Sequence, residues 1–181
     1  ELKKAGKIRW VGVSNFSLTQ LMEARQYGPI DSIQVPYSLF WPHIQHDLLP
    51  FCQSHGITIL AYSPLAQGLL TGKFLPDHVF DRGDHRRRNI LFKAHLKKHV
   101  ACAINELKVL SISHQFTLPQ LALRWVSSQG IIPVVGVREP AQVSDNLGGL
   151  ALSFPISLKQ KMDRIASHVV EHLDQNRVMW R

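Results

Sequence analysis

Four short runs of apolar and β-branched residues, Ile8–Val13, Ser32–Val35, Ile57–Ala61 and Ile131–Val137, limit most of what this chain can fold into. Each closes within a residue or two of Gly, Ser, Pro or Asn, so each reads as a strand running into a turn. The runs are almost continuously apolar rather than alternating, the pattern of parallel strands buried on both faces and joined by helical crossovers. Starts at positions 8, 32 and 57 lie 24 and 25 residues apart, the length of a tight strand–helix unit. The next start, at 131, comes 74 residues later, so an insertion is expected between the third and fourth strands.

Helix signals fill the intervals. Ser17 with Gln20 forms a capping-box pattern and Phe16 with Leu21 a hydrophobic staple, predicting a helix to about Gln26. Thr117 with Gln120 repeats the box ahead of LALRWVSSQ, with Gly130 placed to end that helix, and Ser157 with Gln160 offers it a third time. In QHDLLPFCQSHG, Pro50 suits a first turn and Gly56 a C-terminal cap. The insertion holds a Gly/Pro-containing loop from Pro64 to about Asn89, then a helix with Leu96, Val100, Ile104, Leu107 and Leu110 on one stripe. Polar loops of that length are usually functional. Glu1 to Lys7 reads as a last helical turn, with lysines at its negative end and Gly6 as cap.

An eight-stranded (β/α) barrel needs about 250 residues. Four parallel βα units plus extra helices in 181 residues therefore amount to its C-terminal half, a single α/β domain expected to be truncated on the N-terminal side. A small open α/β sheet is the other architecture the pattern allows. The chain is 45% hydrophobic and 19% charged, within the range of a globular domain. No run approaches the roughly 20 apolar residues of a membrane span, nothing resembles a signal peptide, and Cys52 and Cys102 stand apart, so a reducing cytoplasmic setting is expected.

The formal net charge of +8 raises the question of an acidic partner. Much of that charge sits in DRGDHRRRNILFKAHLKKH, ending at His99, without a nucleic-acid-binding motif. The expectation is no nucleic-acid role: either a solvated loop and helix face, or a basic rim on the site of a phosphate-bearing cofactor.

Polar clusters follow all four strands: Ser14 and Asn15; Pro36, Tyr37 and Ser38 after a polar Gln34; Tyr62, Ser63, Pro64 and Leu65; and Gly136, Val137 and Arg138. That edge is where α/β folds bind ligands, because βα loops and helix N-termini converge there. Ser14, Asn15 and Gln34 have the chemistry to bond a carboxamide and Tyr62 to stack on a ring. The same residue types also cap helices, so composition at one strand leaves both readings open.

The blocks GKIRWVGVSNF, DSIQVPYS, HGITILAYSPLAQGLLTGK, LALRWV and PVVGVREPAQVSDNLGGL, in this order, resemble successive signatures of the aldo-keto reductase family, from Glu1 to about Ala166. The bacterial-type members, whose third block ends Gly-Leu-Leu-Thr-Gly-Lys, are the most similar. The resemblance implies half of a TIM barrel that binds NADP(H) without a Rossmann motif and reduces a small carbonyl substrate to an alcohol. Carried over by position, it implies that Ser14, Asn15 and Gln34 bind the carboxamide and that Tyr62 stacks on the nicotinamide. It further implies that Ser63, Leu65, Gln67, Gly68 and Lys73 follow the pyrophosphate, and that Gly136, Arg138, Gln142, Asp145 and Asn146 form the adenosine pocket. Arg138 would meet the 2′-phosphate, which predicts a preference for NADPH over NADH.

The family's Asp, Tyr, Lys, His tetrad belongs to the first four βα units, and no motif here matches it. Tyr27, Tyr37 and Tyr62 all lie outside the context of the family's acid, so no catalytic residue is assigned and this chain alone is expected not to turn over carbonyls. Gly68 to Phe74 fails as a phosphate loop because the glycines are too close and Phe74 replaces Ser or Thr. His168-Val169-Val170-Glu171-His172 spells an inverted zinc-peptidase pattern, and His95 with His99 a similar spacing, but both read as polar helix faces rather than metal sites. Trp10 and Trp125 are expected in the core, whereas Trp41, in a loop, is placed to border substrate; Trp180 completes the set. A second reading is a non-catalytic nicotinamide-binding protein resembling potassium-channel β subunits. A third is self-association of half-barrels through their exposed sheet edges.

Overall fold

Parallel pairing obliges the chain to cross back between strands, and each crossover expected from the sequence is present in a computed structural model that describes residues 1–74 and 78–173. Strands β1 (Gly12–Ser14), β2 (Ser32–Pro36), β3 (Thr58–Tyr62) and β4 (Ile132–Val134) form one sheet in that spatial order, every neighbour parallel. Val13 lies beside Ile33, Ile33 beside Ile59, and Tyr62 beside Val134. Helix α1 (Leu18–Arg25) joins β1 to β2, and α2 (Leu48–Ser54) joins β2 to β3. The long interval before β4 holds short 3₁₀ turns, then α3 (Lys97–Ser113) and α4 (Leu118–Ser127); α5 (Pro140–Gly148) and α6 (Ile156–Val170) follow the sheet. No described helix is long and apolar enough to cross a membrane.

Two of the three capping boxes form as read. Ser17 and Thr117 each accept an amide at the third helical position, and Gln20 and Gln120 return the bond to the cap's own N–H at 2.9 Å. Thr117→Ala removes one half of the second box and is expected to cost about 1 kcal/mol. In a chain of this size that lowers Tm by about 2–4 °C, which calorimetry against the parent chain would resolve. The third box does not form. Helix α6 starts two residues early, at Ile156 after an extended Pro155, so Ser157 lies inside the helix rather than capping it. Gly6, Gly56 and Gly130 adopt the left-handed conformation expected of caps, and Lys7 N–H reaches back to the Leu2 carbonyl at 3.0 Å.

The core lies on one face of the sheet. Ile33, Val35, Ile59 and Ala61 are buried there with Leu21, Cys52, Ile104, Leu121, Trp125 and Met162. Alternate side chains point the other way, and Gln34, Pro36, Leu60 and Tyr62 are only half-buried while Thr58 is exposed. Burial on both faces, expected from the apolar runs, is therefore realised on the helix side alone.

Both outer strands are shorter than the runs that announced them. Residues 8–11 leave the ladder because the Asp31 carboxylate accepts the Val11 N–H at 2.8 Å and the Asp31 N–H bonds the Val11 carbonyl at 2.8 Å, replacing strand pairing with a turn-like closure. Trp10 is consequently 71% exposed, with the Lys3 ammonium 5.2 Å from its ring centroid, instead of lying in the core. At the opposite margin Ile132 and Val134 stay exposed on the sheet, and Val137 stays exposed beside Val143, Leu147 and Leu150 on α5 and the turn after it.

Trp125 does enter the core, stacked on Tyr37 with centroids 5.2 Å apart and donating to Asp163 at 2.7 Å. Trp41 lies in the connection after β2, as read from the sequence, but is 1% exposed and edge-on to His43. Trp180 lies outside the described residues. His172 stacks on His99 of α3 at 3.7 Å, His168 is exposed on α6, and no cluster of metal-ligating residues occurs among the described residues.

Candidate functional site

The four carboxyl-terminal strand edges face the same way because every strand is parallel, so the loops that follow them must share one rim. After β1, Asn15 takes a left-handed φ of 58°, and its N–H bonds the Gln34 carbonyl at 2.9 Å across the ladder. Its Oδ1 accepts the Tyr62 hydroxyl at 3.0 Å, which ties the ends of β1 and β3 together. Burial pushes the Tyr62 phenol above its ordinary pKa, and the bond to Asn15 offsets part of that rise.

Beyond β3 the backbone turns sharply through left-handed residues at Ser63, Ala66, Gln67 and Gly68. Gly68 has φ 103°, and a Cβ there would come within 2.8 Å of the Phe74 ring, so both conformation and space call for glycine. This loop forms one wall of a cleft of about 520 Å³, contributing Ser63, Leu65, Gln67, Gly68 and Lys73. The facing wall comes from the β4–α5 connection, through Gly136, Arg138, Gln142, Asp145 and Asn146. Pro140 opens α5, where a proline loses no helical bond, and the Gln142 side chain accepts the Arg138 N–H at 2.8 Å just outside that first turn.

Asp145 is steered from behind. Gln120, already part of the α4 capping box, donates to the Asp145 carbonyl at 2.7 Å and to its carboxylate at 3.1 Å. The Arg138 guanidinium is exposed at the N-terminal end of α5, and no acidic side chain among the described residues pairs with it. An unpaired arginine beside a positive helix end disfavours a cation and favours an anion in that part of the cleft.

The structure therefore divides the sequence-derived residues. The β3 and β4 loops meet in one cleft as expected. Asn15 and Tyr62 line a neighbouring hollow of about 340 Å³, together with Phe16, Trp41 and His43. Ser14 and Gln34 are ladder partners at the same rim but line neither hollow.

One charged cleft residue was not singled out from the sequence, beside uncharged ones such as Thr71, Phe74 and Pro119. Arg86, from the basic run, lines the wall beside Phe74. Its Nε donates to both oxygens of Asp84 at 3.0 Å, and its guanidinium lies 4.6 Å from the Phe74 centroid and 4.4 Å from that of Phe80. Those hydrogen bonds hold the Asp84 carboxyl well below the usual carboxylate range. Its neighbours Arg82, Arg87 and Arg88 are exposed, as expected of a solvated run. The available signal was local: an Asp two residues before Arg86 and an Asn before the apolar Ile90-Leu91-Phe92, a turn pattern that singles out one arginine among several.

A parallel sheet with a cation-bearing cleft at its carboxyl edge defines an α/β protein with a ligand-sized rim suited to an anion. Residues 1–169 match the aldo/keto reductase family, and the chain belongs to that family of oxidoreductases. It is 36% identical over 155 residues to the NADH-specific methylglyoxal reductase of Escherichia coli, an alignment that covers 84% of this chain and 47% of that protein. It is 37% identical over 146 residues to the aldo-keto reductase YhdN of Bacillus subtilis, covering 79% of this chain and 44% of that one. The solved glycerol dehydrogenase of Gluconobacter oxydans superposes with a TM-score of 0.87 at 34% identity, over 97% of this chain and 54% of that chain. The chain thus spans about half the length of the relatives it matches, and its four strands correspond to half of their barrel.

Proposed function

We propose that this chain is the NADP(H)-binding half of an aldo-keto reductase that interconverts a small carbonyl compound and its alcohol. The observation that carries the reading is the placing of Lys73, Arg86 and Arg138 on the walls of one cleft, where Arg86 is paired with Asp84 and Asp145 is the one carboxylate among the described lining residues. Lys73 and Arg138, with the guanidinium of Arg86 shared with Asp84, suit a ligand with more than one phosphate group. An adenine dinucleotide carrying a 2′-phosphate meets that requirement, and aldo-keto reductase from Klebsiella pneumoniae has been solved in complex with NADP and with NADPH.

In this reading Lys73 and Arg86 face the pyrophosphate, with the left-handed turn at Gln67 and Gly68 bringing backbone close to it. Arg138 meets the 2′-phosphate, and Asp145 and Asn146 bond the adenine edge, beside Gly136 and Gln142. Ser14, Asn15 and Gln34 bond the carboxamide, and Tyr62 supplies the stacking face. When bound, the cofactor supplies or accepts the hydride; the chain's own residues bind and orient it. The E. coli relative is named NADH-specific, so family membership alone does not choose the cofactor. Arg138 is the residue on which that choice turns.

We infer that this chain holds the cofactor without turning over carbonyls. A general acid needs a donor poised to release its proton, and none of the three tyrosines is so placed. Burial raises the pKa of Tyr37, which also receives a hydrogen bond from Gln45 at 2.7 Å; Tyr62 donates to Asn15; Tyr27 is 86% exposed beyond the end of α1. Titrating the full chain with NADPH, followed by nicotinamide fluorescence, is expected to saturate, with NADH weaker by about ten- to a hundredfold. Addition of an aldehyde is expected to leave the NADPH unoxidised. Absence of saturable binding overturns the cofactor reading, and oxidation overturns the assignment of the proton donor elsewhere.

A further inference from the structure

Asn89 is a fully buried polar residue between two short 3₁₀ turns, 85–88 and 90–92. A buried amide is costly unless its polar atoms are bonded, and both ends of this one are. Its Oδ1 accepts the Leu91 N–H at 2.9 Å, and its Nδ2 donates to Gln67 Oε1 at 3.0 Å. The second bond joins positions 22 residues apart, on segments that share no strand ladder.

What it joins matters for the cleft. Gln67 sits at φ 54° between Ala66 at 49° and Gly68 at 103°, a succession of left-handed residues that L side chains adopt only under outside constraint. The Gln67 side-chain oxygen is engaged by Asn89, and the residue lines the cleft. On the other side, the Asn89 N–H bonds the Arg86 carbonyl at 3.0 Å and closes the turn that carries the Arg86 guanidinium. Arg138 stands on the β4–α5 connection and Asn146 on α5 itself, neither of which Asn89 bonds.

We propose that the Asn89–Gln67 bond is a clasp holding the 84–92 segment against the 63–74 loop, which makes Asn89 a positioning residue for the phosphate-facing groups near β3 and not for the adenosine end. The inference rests on the cofactor reading above. Asn89 touches no ligand itself; it sets the shape of the Gln67–Gly68 turn and the reach of Arg86.

The two ends of the cleft are separable with two probes on the full chain: NADPH, which spans both, and adenosine 2′-monophosphate, which carries only the group assigned to Arg138. Asn89→Ser keeps an acceptor for the Leu91 N–H and is too short to reach Gln67. It is expected to weaken NADPH by about tenfold, the loss of one buried hydrogen bond, and to leave adenosine 2′-monophosphate unchanged. Gln67→Ala breaks the same bond at a half-buried position and is expected to give the same split; if Asn89→Ser lacks a cooperative melt, this variant decides. Equal weakening of both probes makes Asn89 a general structural residue and overturns the proposal, as does unchanged NADPH affinity. Failure of the unsubstituted chain to bind either probe instead removes the cofactor reading itself.

Discussion

Arg138→Ala is expected to weaken NADPH binding by about ten- to a hundredfold while leaving NADH binding essentially unchanged, so that the preference between the two disappears. The guanidinium stands at the start of α5 without an acidic partner among the described residues, so its removal takes away a charge-assisted fork and leaves no orphaned carboxylate behind. Because the side chain is exposed, the effect is screened by salt, with a Debye length of about 10 Å at 0.1 M. The larger figure belongs to low ionic strength. Arg138→Lys keeps the charge and loses the planar fork, and should fall between the two. Parallel titrations with NADPH and NADH at two salt concentrations measure all of this. Undiminished discrimination in the alanine variant would make Arg138 an ordinary surface residue.

The largest effect on stability is expected at Trp125. Its indole is 1% exposed, stacks on Tyr37, donates to Asp163 at 2.7 Å and lies 5.9 Å under the Lys159 ammonium. Trp125→Ala removes the largest side chain of α4 from the layer between that helix, α6 and the β2–α2 connection. Such truncations cost about 3–5 kcal/mol, against a total stability of about 5–15 kcal/mol for a domain. Urea unfolding of the variant should therefore show a midpoint shifted far to low denaturant, or no folded baseline. Trp125→Phe separates the causes: it keeps a ring against Tyr37 and loses only the bond to Asp163. The Asp163 side chain is 40% exposed and can turn to water, so about 1 kcal/mol is expected from that loss. A phenylalanine variant as damaged as the alanine one would show that the hydrogen bond, not the packing, dominates.

The sequence was most informative where one local physical preference decides the outcome. Runs such as Ile57–Ala61 have no stable alternative to a buried strand, and Ser17 and Thr117 cap helices through bonds three residues long, so sheet order, crossovers and two helix starts were all legible. It was least informative where a distant group intervenes. Asp31, 20 residues from Val11, takes that residue's N–H and cuts β1 short, which turns Trp10 outward. Trp41 reads as a loop residue, but the Ser38–Trp41 bridge folds it back into the core. Among the cleft residues, those on strand ends could be placed from the order of the blocks alone. Arg86 could not, because its position depends on Asp84, on two aromatic rings and on a turn held by Asn89, none of which has a period that sequence inspection detects.

The cleft also leans on the two unfinished margins of the sheet. Its Arg138 end grows out of β4, and the Asn15–Tyr62 link grips β1, and among the described residues each of these strands is bonded on one side only. Any polypeptide that seals those margins must supply backbone donors and acceptors, and at β4 also cover Val137, Leu147 and Leu150. Ligand capture and sheet closure then draw on the same free energy. By reciprocity, whatever factor the closing partner adds to dinucleotide affinity, the dinucleotide adds to affinity for the partner.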